Sequence, residues 1–250
     1  HAAGMVKRVL RRDEDRAGIV MEMLRTWLTE KWLSTPVYAG ILIGGESLRM
    51  GRPKHLITTS TGRTWIEMII ESIQPLVNEV VLLGKGKIPK PLEGLPVLPD
   101  IEDMQGPLAG ILSAMRWRPD VSWLFLSCDM PQITTDALRW LLANRKPGVW
   151  AILPCRTKSC RWRDKSEVYP PTVATEVYQA ESMATRGVEP LPGWYDFRAL
   201  RLLETCRGPA GLAGHAQVAT PLIPAEIAAA WTNVNTVPGL DAVMPFLDNA

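Results

Sequence analysis

The sequence has few aromatic side chains and no excess of charge of one sign. Only 7% of its 250 residues are Phe, Trp or Tyr, and 28 Lys and Arg nearly balance 26 Asp and Glu, which gives a formal charge of +2. Proteins that bind nucleic acid or anionic membranes through a basic field carry a larger positive excess. The charge balance therefore argues against both, and we expect no nucleic acid and no membrane as partners.

Long hydrophobic runs are also missing. The longest apolar stretches are about strand length, well below the roughly 20 residues that a membrane-spanning helix needs, and the N-terminus lacks the apolar region of a signal peptide. We therefore expect a cytoplasmic protein. With 46% hydrophobic and 22% charged residues, a chain of this length can bury a full core.

Cysteines are few and show no paired CxxC spacing. They are Cys128, Cys155, Cys160 and Cys206. The second and third are close enough in sequence to form a bridge or half of a metal site, but no further pair of ligands stands near them. Free thiols are the expectation for all four.

The order of the apolar segments predicts an α/β domain preceded by a helix. Residues 13–33 place apolar side chains at helical spacing with charges opposite, which predicts an amphipathic helix in an extension over residues 1–36, either laid on the domain or used in a dimer contact. From residue 37 to 250, short apolar runs alternate with helical stretches. This alternation is typical of parallel strands joined by crossover helices, so we predict an open, mostly parallel sheet with helices on both faces.

Residues 155–187 interrupt the alternation with many polar side chains and no clean period, and we interpret them as a loop insertion. They contain a cluster of cations that is either a solvated surface or an anion site: Arg156, Lys158, Arg161, Arg163 and Lys165. After the insertion, the pattern predicts helices in "YDFRALRLLETC", in "AEIAAAWTNVNT" before an Asn-rich turn, and in the terminal "GLDAVMPFLDNA".

The residues that follow the first strand favour a polyphosphate ligand. Ligands of open α/β sheets bind beyond the carboxyl ends of the strands. Gly44 and Gly45 let backbone N–H groups approach a phosphate, and Arg49 and Lys54 add two cations to the same loop. The loop lacks the GxxxxGK[ST] motif of P-loop enzymes and the GxGxxG motif of dinucleotide folds. A glycine turn with chance surface cations is the structural alternative.

Two carboxylates follow later strands. Asp100 precedes a helix start at Pro107, where free N–H groups can meet an anion. Asp129 ends a very apolar strand, where an acid is costly unless it is solvated, paired or bound to a metal. Since Mg²⁺ favours one or two carboxylates together with phosphate oxygens, the two aspartates predict a Mg²⁺ and triphosphate pocket, with helix capping or turn formation as the alternative.

Four segments together resemble the signature of the molybdenum cofactor guanylyltransferase family: "LIGGESLRMGRPK", an aspartate followed by "GPLAGI", "CDMP" and the late "NVNT". This family lies within the nucleotidyltransferases of the LAGGxSxRMGxxK type, and the resemblance runs from about residue 37 to 243. It implies a Rossmann-like fold and the transfer of GMP from GTP to molybdopterin, with Mg²⁺ as cofactor and pyrophosphate as product. Molybdoenzyme maturation proteins are further possible partners, and the oligomeric state stays open.

The resemblance also implies roles for individual residues. Five match the nucleotide-contacting part of the first loop: Leu42, Ile43, Gly44, Gly45 and Ser47. Lys54 matches the phosphate lysine and, with Arg49, is expected to supply catalytic charge. Asp100 matches a nucleotide-contacting aspartate, and Asp129 matches the Mg²⁺ ligand, with Asp100 as the expected second ligand. Three residues match the turn on the pterin side: Asn233, Asn235 and Thr236.

Departures from the family pattern leave the substrate open. Glu46 adds a negative charge beside the phosphates, and Gly84 and Lys85 stand where the family has an asparagine, which leaves base selection less certain. A cytidylyltransferase for the same cofactor shares the RMGxPK form of the loop, and a sugar-phosphate nucleotidyltransferase shares the loop without the pterin-side turn. A nonenzymatic nucleotide sensor is disfavoured because it has no need of both Lys54 and Asp129.

Overall fold

The computed structural model describes residues 15–44, 53–102, 104–157 and 187–248. These residues fall into two compact units that divide between Thr35 and Pro36. The first unit contains helix α1 (Arg16–Leu33), whose start is capped because the Asp15 carboxylate accepts a hydrogen bond of 3.0 Å from the Gly18 backbone N–H. The predicted N-terminal helix is therefore present from residue 16, and residues 13 and 14 lie outside the described residues.

The second unit is built on a sheet that has seven strands within the described part of the chain. The strands are β1 (Val37–Leu42), β2 (Glu79–Leu83), β3 (Val97–Leu98), β4 (Ser122–Ser127), β5 (Ala151–Ile152), β6 (Gly193–Tyr195) and β7 (Val218–Ala219). They lie in the order β3-β2-β1-β4-β6-β5-β7. Only β6 runs antiparallel to its neighbours β4 and β5, so the predicted open, mostly parallel sheet is confirmed.

The helices of the second unit cover both faces of this sheet. They are α2 (Trp65–Ile73), α3 (Pro107–Trp117), α4 (Thr135–Ala143), α5 (Leu200–Leu203) and α6 (Val237–Leu247). All six residues of β1 are buried, and because successive strand residues point to opposite faces, both faces must be covered. No helix among the described residues is long and apolar enough to cross a bilayer.

Local sequence explains where the helices begin. Thr64 and Glu67 form a reciprocal capping box at the start of α2, where the Glu67 carboxylate accepts a hydrogen bond of 2.7 Å from the Thr64 backbone N–H. Pro107 occupies the first turn of α3, where its missing N–H costs nothing. Thr134 caps α4 through its hydroxyl. The predicted start of a helix at Pro107 is therefore confirmed.

A glycine in β1 makes room for a large aromatic side chain in β4. A Cβ atom on Gly40 would lie 2.5 Å from the Phe125 ring, so only glycine leaves room for this aromatic side chain in the neighbouring strand. Phe125 stacks on Trp123 with ring centroids 5.3 Å apart and meets Tyr195 edge-on at 5.4 Å. This aromatic column fixes the pairing of β4 with β6.

Two predicted helices are shorter than the sequence pattern indicates. In residues 195–206 the chain first completes β6, then forms a 3-10 turn (Phe197–Ala199) and only one turn of α5, because Trp194 and Tyr195 are drawn into pairing with β4. In residues 225–236 a 3-10 helix (Ala225–Trp231) replaces an α-helix. Tertiary pairing overrides local propensity in the first case, and the structure gives no comparable reason in the second.

The cysteines follow the expectation only in part. Cys128 is a free thiol, but Cys155 is disulfide-bonded, so the expectation of free thiols is wrong for Cys155. Its side chain is buried at the point where the chain leaves β5. Cys160 lies outside the described residues.

The predicted insertion leaves and re-enters the fold at neighbouring points. The Arg156 backbone N–H donates to the Gly187 carbonyl at 2.9 Å, and Cys155 forms an antiparallel bridge with Val188. Residues 158–186 lie outside the described residues, so their interpretation as a loop stays a prediction. The backbone pairing nevertheless places both ends of the segment side by side at the sheet.

Replacing residues 158–186 with a short Gly-Ser linker should leave the second unit folded. Its ends are already held together by the backbone pairing of Arg156 with Gly187, and each halving of loop length lowers the closure cost by about 0.6 kcal/mol. We expect a Tm equal to that of the parent or a few degrees higher, because each kcal/mol of added stability raises the Tm by about 2–4 °C. Thermal unfolding followed by circular dichroism measures it.

The control for this deletion must account for the disulfide. Both the parent and the deletion variant should carry Cys155→Ser, so that the comparison isolates the loss of the segment. A deletion variant that no longer unfolds cooperatively would show that residues 158–186 contribute to the packing of the sheet.

Candidate active site

The carboxyl ends of β1, β2 and β4 lie side by side. In the parallel register, Leu42 is opposite Leu83 on one side and Ser127 on the other. Backbone bonds extend the pairing by one residue, from the Ile43 N–H to the Leu83 carbonyl at 2.9 Å and from the Cys128 N–H to the Leu42 carbonyl at 3.3 Å. The segments that begin at Gly44, Gly84 and Asp129 therefore emerge at one edge of the sheet.

Asp100 lies against two glycines at this edge. A Cβ atom on Gly44 would be 3.6 Å from Asp100 Oδ2, and one on Gly84 would be 3.7 Å from the same oxygen. The Gly84 N–H donates to the Leu98 carbonyl at 2.8 Å, which holds the end of β3, and hence the exposed Asp100, beside β2. The structure thus brings the predicted nucleotide-contacting aspartate next to the predicted glycine loop.

Gly84 has a structural role that sequence reasoning missed. Its φ of +105° lies in a region that side chains disfavour, and a Cβ atom there would stand 3.0 Å from the Gly44 backbone nitrogen. Glycine is therefore required for the ends of β1 and β2 to approach this closely. The sequence signal that could have predicted this role is a glycine directly after an apolar strand.

A third glycine brings helix α3 close to the same carboxylate. A Cβ atom on Gly110 would be 2.7 Å from Leu42 Cδ2 and 3.1 Å from Asp100 Oδ1. The first turns of α3 therefore pass next to Asp100. The missing side chains of Gly84 and Gly110, which are both buried, thus let the ends of β1 and β2 and helix α3 pack closely around Asp100. Gly44 and Asp100 are the exposed members of this group.

The predicted nucleotide-contacting residues of the first loop differ in exposure. The Leu42 and Ile43 side chains are 9% and 3% exposed and belong to the core, whereas Gly44 is exposed. Gly45, Ser47 and Arg49, as well as Glu46, lie outside the described residues, so their roles stay predictions. Of Leu42, Ile43 and Gly44, it is Gly44 that lies exposed to a ligand.

Lys54, Asp129 and Asn235 meet in one cluster. Lys54 Nζ lies 3.6 Å from Asp129 Oδ2, and the two side chains are 14% and 18% exposed. The same ammonium group donates a hydrogen bond to Asn235 Oδ1. The resemblance assigned Lys54 and Asp129 to the nucleotide and Asn235 to the acceptor, and the structure places all three together. We call them the Lys-Asp-Asn cluster.

A shared apolar group supports both sides of this cluster. Lys54 begins a 3-10 turn (Lys54–Leu56) that leads to the buried Ile57, and Ile57 packs in one core cluster with Trp65, Val234 and Leu240. Within "NVNT", Val234 is 1% exposed while Asn233 and Asn235 are exposed. The buried valine therefore fixes the turn and presents both amides outward.

The "NVNT" turn is also tied directly to the segment after β4. The Val234 N–H donates to the Asp129 carbonyl at 2.8 Å. Thr236, predicted to contact the acceptor, caps α6 through its hydroxyl, which accepts a hydrogen bond of 3.3 Å from the Gly239 N–H. The backbone of the acceptor turn is thus paired with the backbone of the predicted metal ligand.

Asp129 has an unused oxygen that suits a cation. Its Oδ1 atom is buried and has no hydrogen-bond partner among the described residues. A buried carboxylate oxygen without a partner is costly, and a divalent cation removes that cost. The described residues hold no group of three or more His, Cys, Asp or Glu placed for a metal. Mg²⁺ is commonly held by one or two carboxylates plus phosphate oxygens, so Asp129 fits that role.

Neither neighbouring thiol nor imidazole suits a chemical role. Burial, together with the charge of Asp129, raises the pKa of the Cys128 thiol to about 12, against the opposing effect of Lys54, so the thiol stays protonated at neutral pH and is no nucleophile. His55 is 2% exposed, and its Nε2 lies 2.9 Å from the Lys87 carbonyl. The histidine therefore ties two loops together.

Arg156 is the one residue of the predicted cationic cluster that the structure describes. Its guanidinium donates to the Glu189 carboxylate and to the Trp231 carbonyl. Trp231 is fully buried and meets Trp140 of α4 edge-on, with ring centroids 5.6 Å apart. Arg156 thus braces the 3-10 helix that precedes the "NVNT" turn. The other four cations lie outside the described residues, so the interpretation of the cluster as a solvated surface or an anion site stays a prediction.

The fold has a counterpart of known structure. A molybdopterin-guanine dinucleotide biosynthesis protein A from Archaeoglobus fulgidus superimposes with a TM-score of 0.59 and 20% sequence identity, covering 85% of this chain and 100% of that chain. This likeness shows a shared Rossmann-like fold. With candidate phosphate and metal groups beyond the strand ends and a sequence match to an NTP transferase family model, the chain falls in the class of nucleotidyltransferase domains.

The particular family follows from the sequence. Residues 39–220 match the family model described as the MobA-like NTP transferase domain, which is more than half of the chain, and the protein belongs to that family. The resemblance that the four signature segments indicated is thereby confirmed.

Curated relatives match about half of this chain. A probable molybdenum cofactor guanylyltransferase from Bacillus cereus (strain ZK / E33L) is 35% identical over 123 residues, which is 47% of this chain and 61% of that protein. A molybdenum cofactor biosynthesis bifunctional protein from Synechocystis sp. is 34% identical over 119 residues, which is 47% of this chain and 34% of that protein. The chain thus spans less than two thirds of the length of these curated relatives.

Proposed function

We propose that the protein transfers GMP from GTP to molybdopterin and releases pyrophosphate, a step in molybdenum cofactor biosynthesis. The observation that carries the proposal is the Lys-Asp-Asn cluster, in which Lys54 Nζ lies 3.6 Å from Asp129 Oδ2 and donates to Asn235. Transfer between two substrates needs three groups in one place. These are a lysine that contacts phosphate, a carboxylate that binds the metal, and a residue of the acceptor turn. The names of the relatives support GTP and molybdopterin as those substrates.

The chemistry is an in-line displacement at phosphorus. A terminal phosphate oxygen of molybdopterin attacks the α-phosphorus of GTP, a new P–O bond forms, and the bond from the α-phosphorus to the bridging oxygen breaks, so that pyrophosphate leaves with the electron pair. The attacking phosphate is already ionised at neutral pH and needs no general base. Catalysis then consists of positioning the two substrates and stabilising the developing negative charge.

This chain's own residues supply that stabilisation. Lys54 places its ammonium group where charge accumulates on the transferred and leaving phosphates. The exposed Gly44 offers its backbone to the nucleotide at the carboxyl end of β1. Asp129, with Asp100 as the expected second ligand, would hold Mg²⁺. When bound, Mg²⁺ acts as a Lewis acid that neutralises charge on the triphosphate.

A thermal-shift comparison of the four nucleotides with Mg²⁺ tests the nucleotide side. A ligand present at 100 times its dissociation constant stabilises the folded state by about 2.7 kcal/mol. We expect GTP to raise the Tm at concentrations where CTP, ATP and UTP do not. A shift with CTP alone would instead identify a cytidylyltransferase for the same cofactor.

Product analysis tests the transfer itself. Incubation with molybdopterin and GTP labelled at the α-phosphate should yield a labelled pterin dinucleotide and an equal amount of pyrophosphate. Labelled product with a sugar phosphate but none with molybdopterin would overturn the acceptor assignment, and nucleotide binding without turnover would identify a sensor. Cytoplasmic location and contact with molybdoenzyme maturation proteins accompany this proposal as predictions.

A further inference from the structure

We propose that Asn235 is a positioning residue that holds the Lys54 ammonium group away from Asp129 and so keeps the Asp129 carboxylate available to a divalent cation. This inference rests on the proposed function and goes beyond it, since the resemblance gives Asn235 a role toward the acceptor alone. It assigns the residue a second role, on the nucleotide and metal side of the reaction.

The separation between Lys54 and Asp129 is the first observation. An ammonium group that is free to pair with a carboxylate forms a hydrogen bond of about 2.7–2.9 Å. Here Lys54 Nζ and Asp129 Oδ2 are 3.6 Å apart, beyond hydrogen-bond distance, although both side chains are largely buried. The ammonium group donates to Asn235 Oδ1 instead. The amide therefore takes the hydrogen bond that the carboxylate would otherwise accept.

The second observation concerns the carboxylate itself. Asp129 Oδ1 is buried without a hydrogen-bond partner among the described residues, and Oδ2 faces Lys54 without a hydrogen bond. A carboxylate in direct contact with an ammonium group would have to release it before binding a cation. Held apart, the same carboxylate keeps both oxygens for a cation, and the lysine charge remains close enough to act on a phosphate.

The third observation is that Asn235 is fixed independently of Lys54. The preceding residue, Val234, donates its N–H to the Asp129 carbonyl at 2.8 Å and packs in the core cluster with Ile57 and Trp65. The following residue, Thr236, caps α6. Asn235 is thus presented from a turn anchored on both sides, so its amide can determine where the flexible lysine side chain lies.

The structure of the Asn235→Ala variant tests this inference without nucleotide or metal. Without the amide, Lys54 Nζ should close on Asp129 Oδ2 to about 2.8 Å, the usual length of such a charged hydrogen bond. A crystal structure of the variant measures the distance. A separation that stays near the parent value would overturn the proposal, whatever reaction the protein catalyses.

A binding measurement tests the consequence for the cation. GTP affinity, measured by calorimetry at increasing free Mg²⁺ and without acceptor, gives the Mg²⁺ concentration for half-maximal affinity. We expect Asn235→Ala to raise that concentration roughly tenfold, the equivalent of losing one buried polar interaction. Asn144→Ala removes an asparagine amide at the end of α4 that donates to the Trp140 carbonyl, and it should leave the Mg²⁺ requirement at the parent value.

A double-mutant cycle separates positioning from general damage to the turn. If Asn235 acts through Lys54, the substitution Asn235→Ala should change the Mg²⁺ requirement by less than about twofold in a Lys54→Met background. An equal tenfold effect in both backgrounds would overturn the proposal. Failure of the parent protein to bind any nucleotide with Mg²⁺ would count against the proposed function, and the crystallographic distance would still decide the role of Asn235.

Discussion

Replacing Asp129 with asparagine should reduce nucleotidyl transfer by about a thousandfold or more while the protein stays folded. A metal ion acting as a Lewis acid contributes several kcal/mol to transition-state stabilisation, and about 4 kcal/mol corresponds to three powers of ten in rate. Asparagine keeps the shape of the side chain and removes the negative charge of the Asp129 carboxylate. The Oδ1 atom of that carboxylate is buried without a hydrogen-bond partner among the described residues. The free energy of unfolding should therefore stay equal or rise.

Initial rates of pyrophosphate release at saturating Mg²⁺, together with a thermal melt, measure both effects. Asp136→Asn is the matched control, because Asp136 is an exposed aspartate on α4 that pairs only with the nearby Arg139 among the described residues, and surface pairs of this kind contribute little. Transfer within a few fold of the parent in Asp129→Asn would remove Asp129 from the metal site.

Replacing Lys54 with methionine should lower kcat by roughly a hundredfold to a thousandfold. Methionine removes the ammonium group and keeps most of the apolar part of the side chain. This matters because the Lys54 side chain is only 14% exposed. Loss of one preorganised charge-stabilising donor typically has an effect of this size. Steady-state kinetics with GTP and molybdopterin varied separately give kcat and KM for each substrate.

The division between kcat and KM decides the role of Lys54. A rise in the KM for GTP with unchanged kcat would show that the lysine binds ground state and transition state equally and does not act in catalysis. Lys90→Met, at an exposed position after β2, removes the same charge from the surface and should leave both constants near the parent values. A similar loss in Lys90→Met would point to a general electrostatic effect of net charge.

The fold was predictable because hydrophobic periodicity depends on local spacing. The alternation of apolar runs and helical stretches after Val37 correctly indicated a mostly parallel sheet, and Pro107 marked the start of α3. Residues 195–206 were predicted as a helix because their apolar side chains recur at helical spacing. The structure places Tyr195 in β6, where it pairs with β4, and begins the helical turns only at Phe197. This pairing is a long-range contact that local spacing does not encode.

The candidate site residues were chosen one segment at a time, and this choice did not predict how they are arranged. Lys54 and Asn235 could each be picked out from a signature segment, yet their hydrogen bond joins residues that are 181 positions apart. Motif reasoning assigned them to different substrates because it treats each segment separately. The contact depends on the packing of Val234 with Ile57, and packing partners cannot be read from one segment alone.

The geometry at Gly84 also restricts which side chains this position can accept. Its φ of +105° and the 3.0 Å approach of any added Cβ to the Gly44 backbone mean that an asparagine introduced at position 84 would have to displace the loop after β1. The neighbouring Lys85 is exposed and carries no such restriction. The asparagine that the resemblance implies after β2 is therefore disfavoured at position 84 and meets no such restriction at position 85.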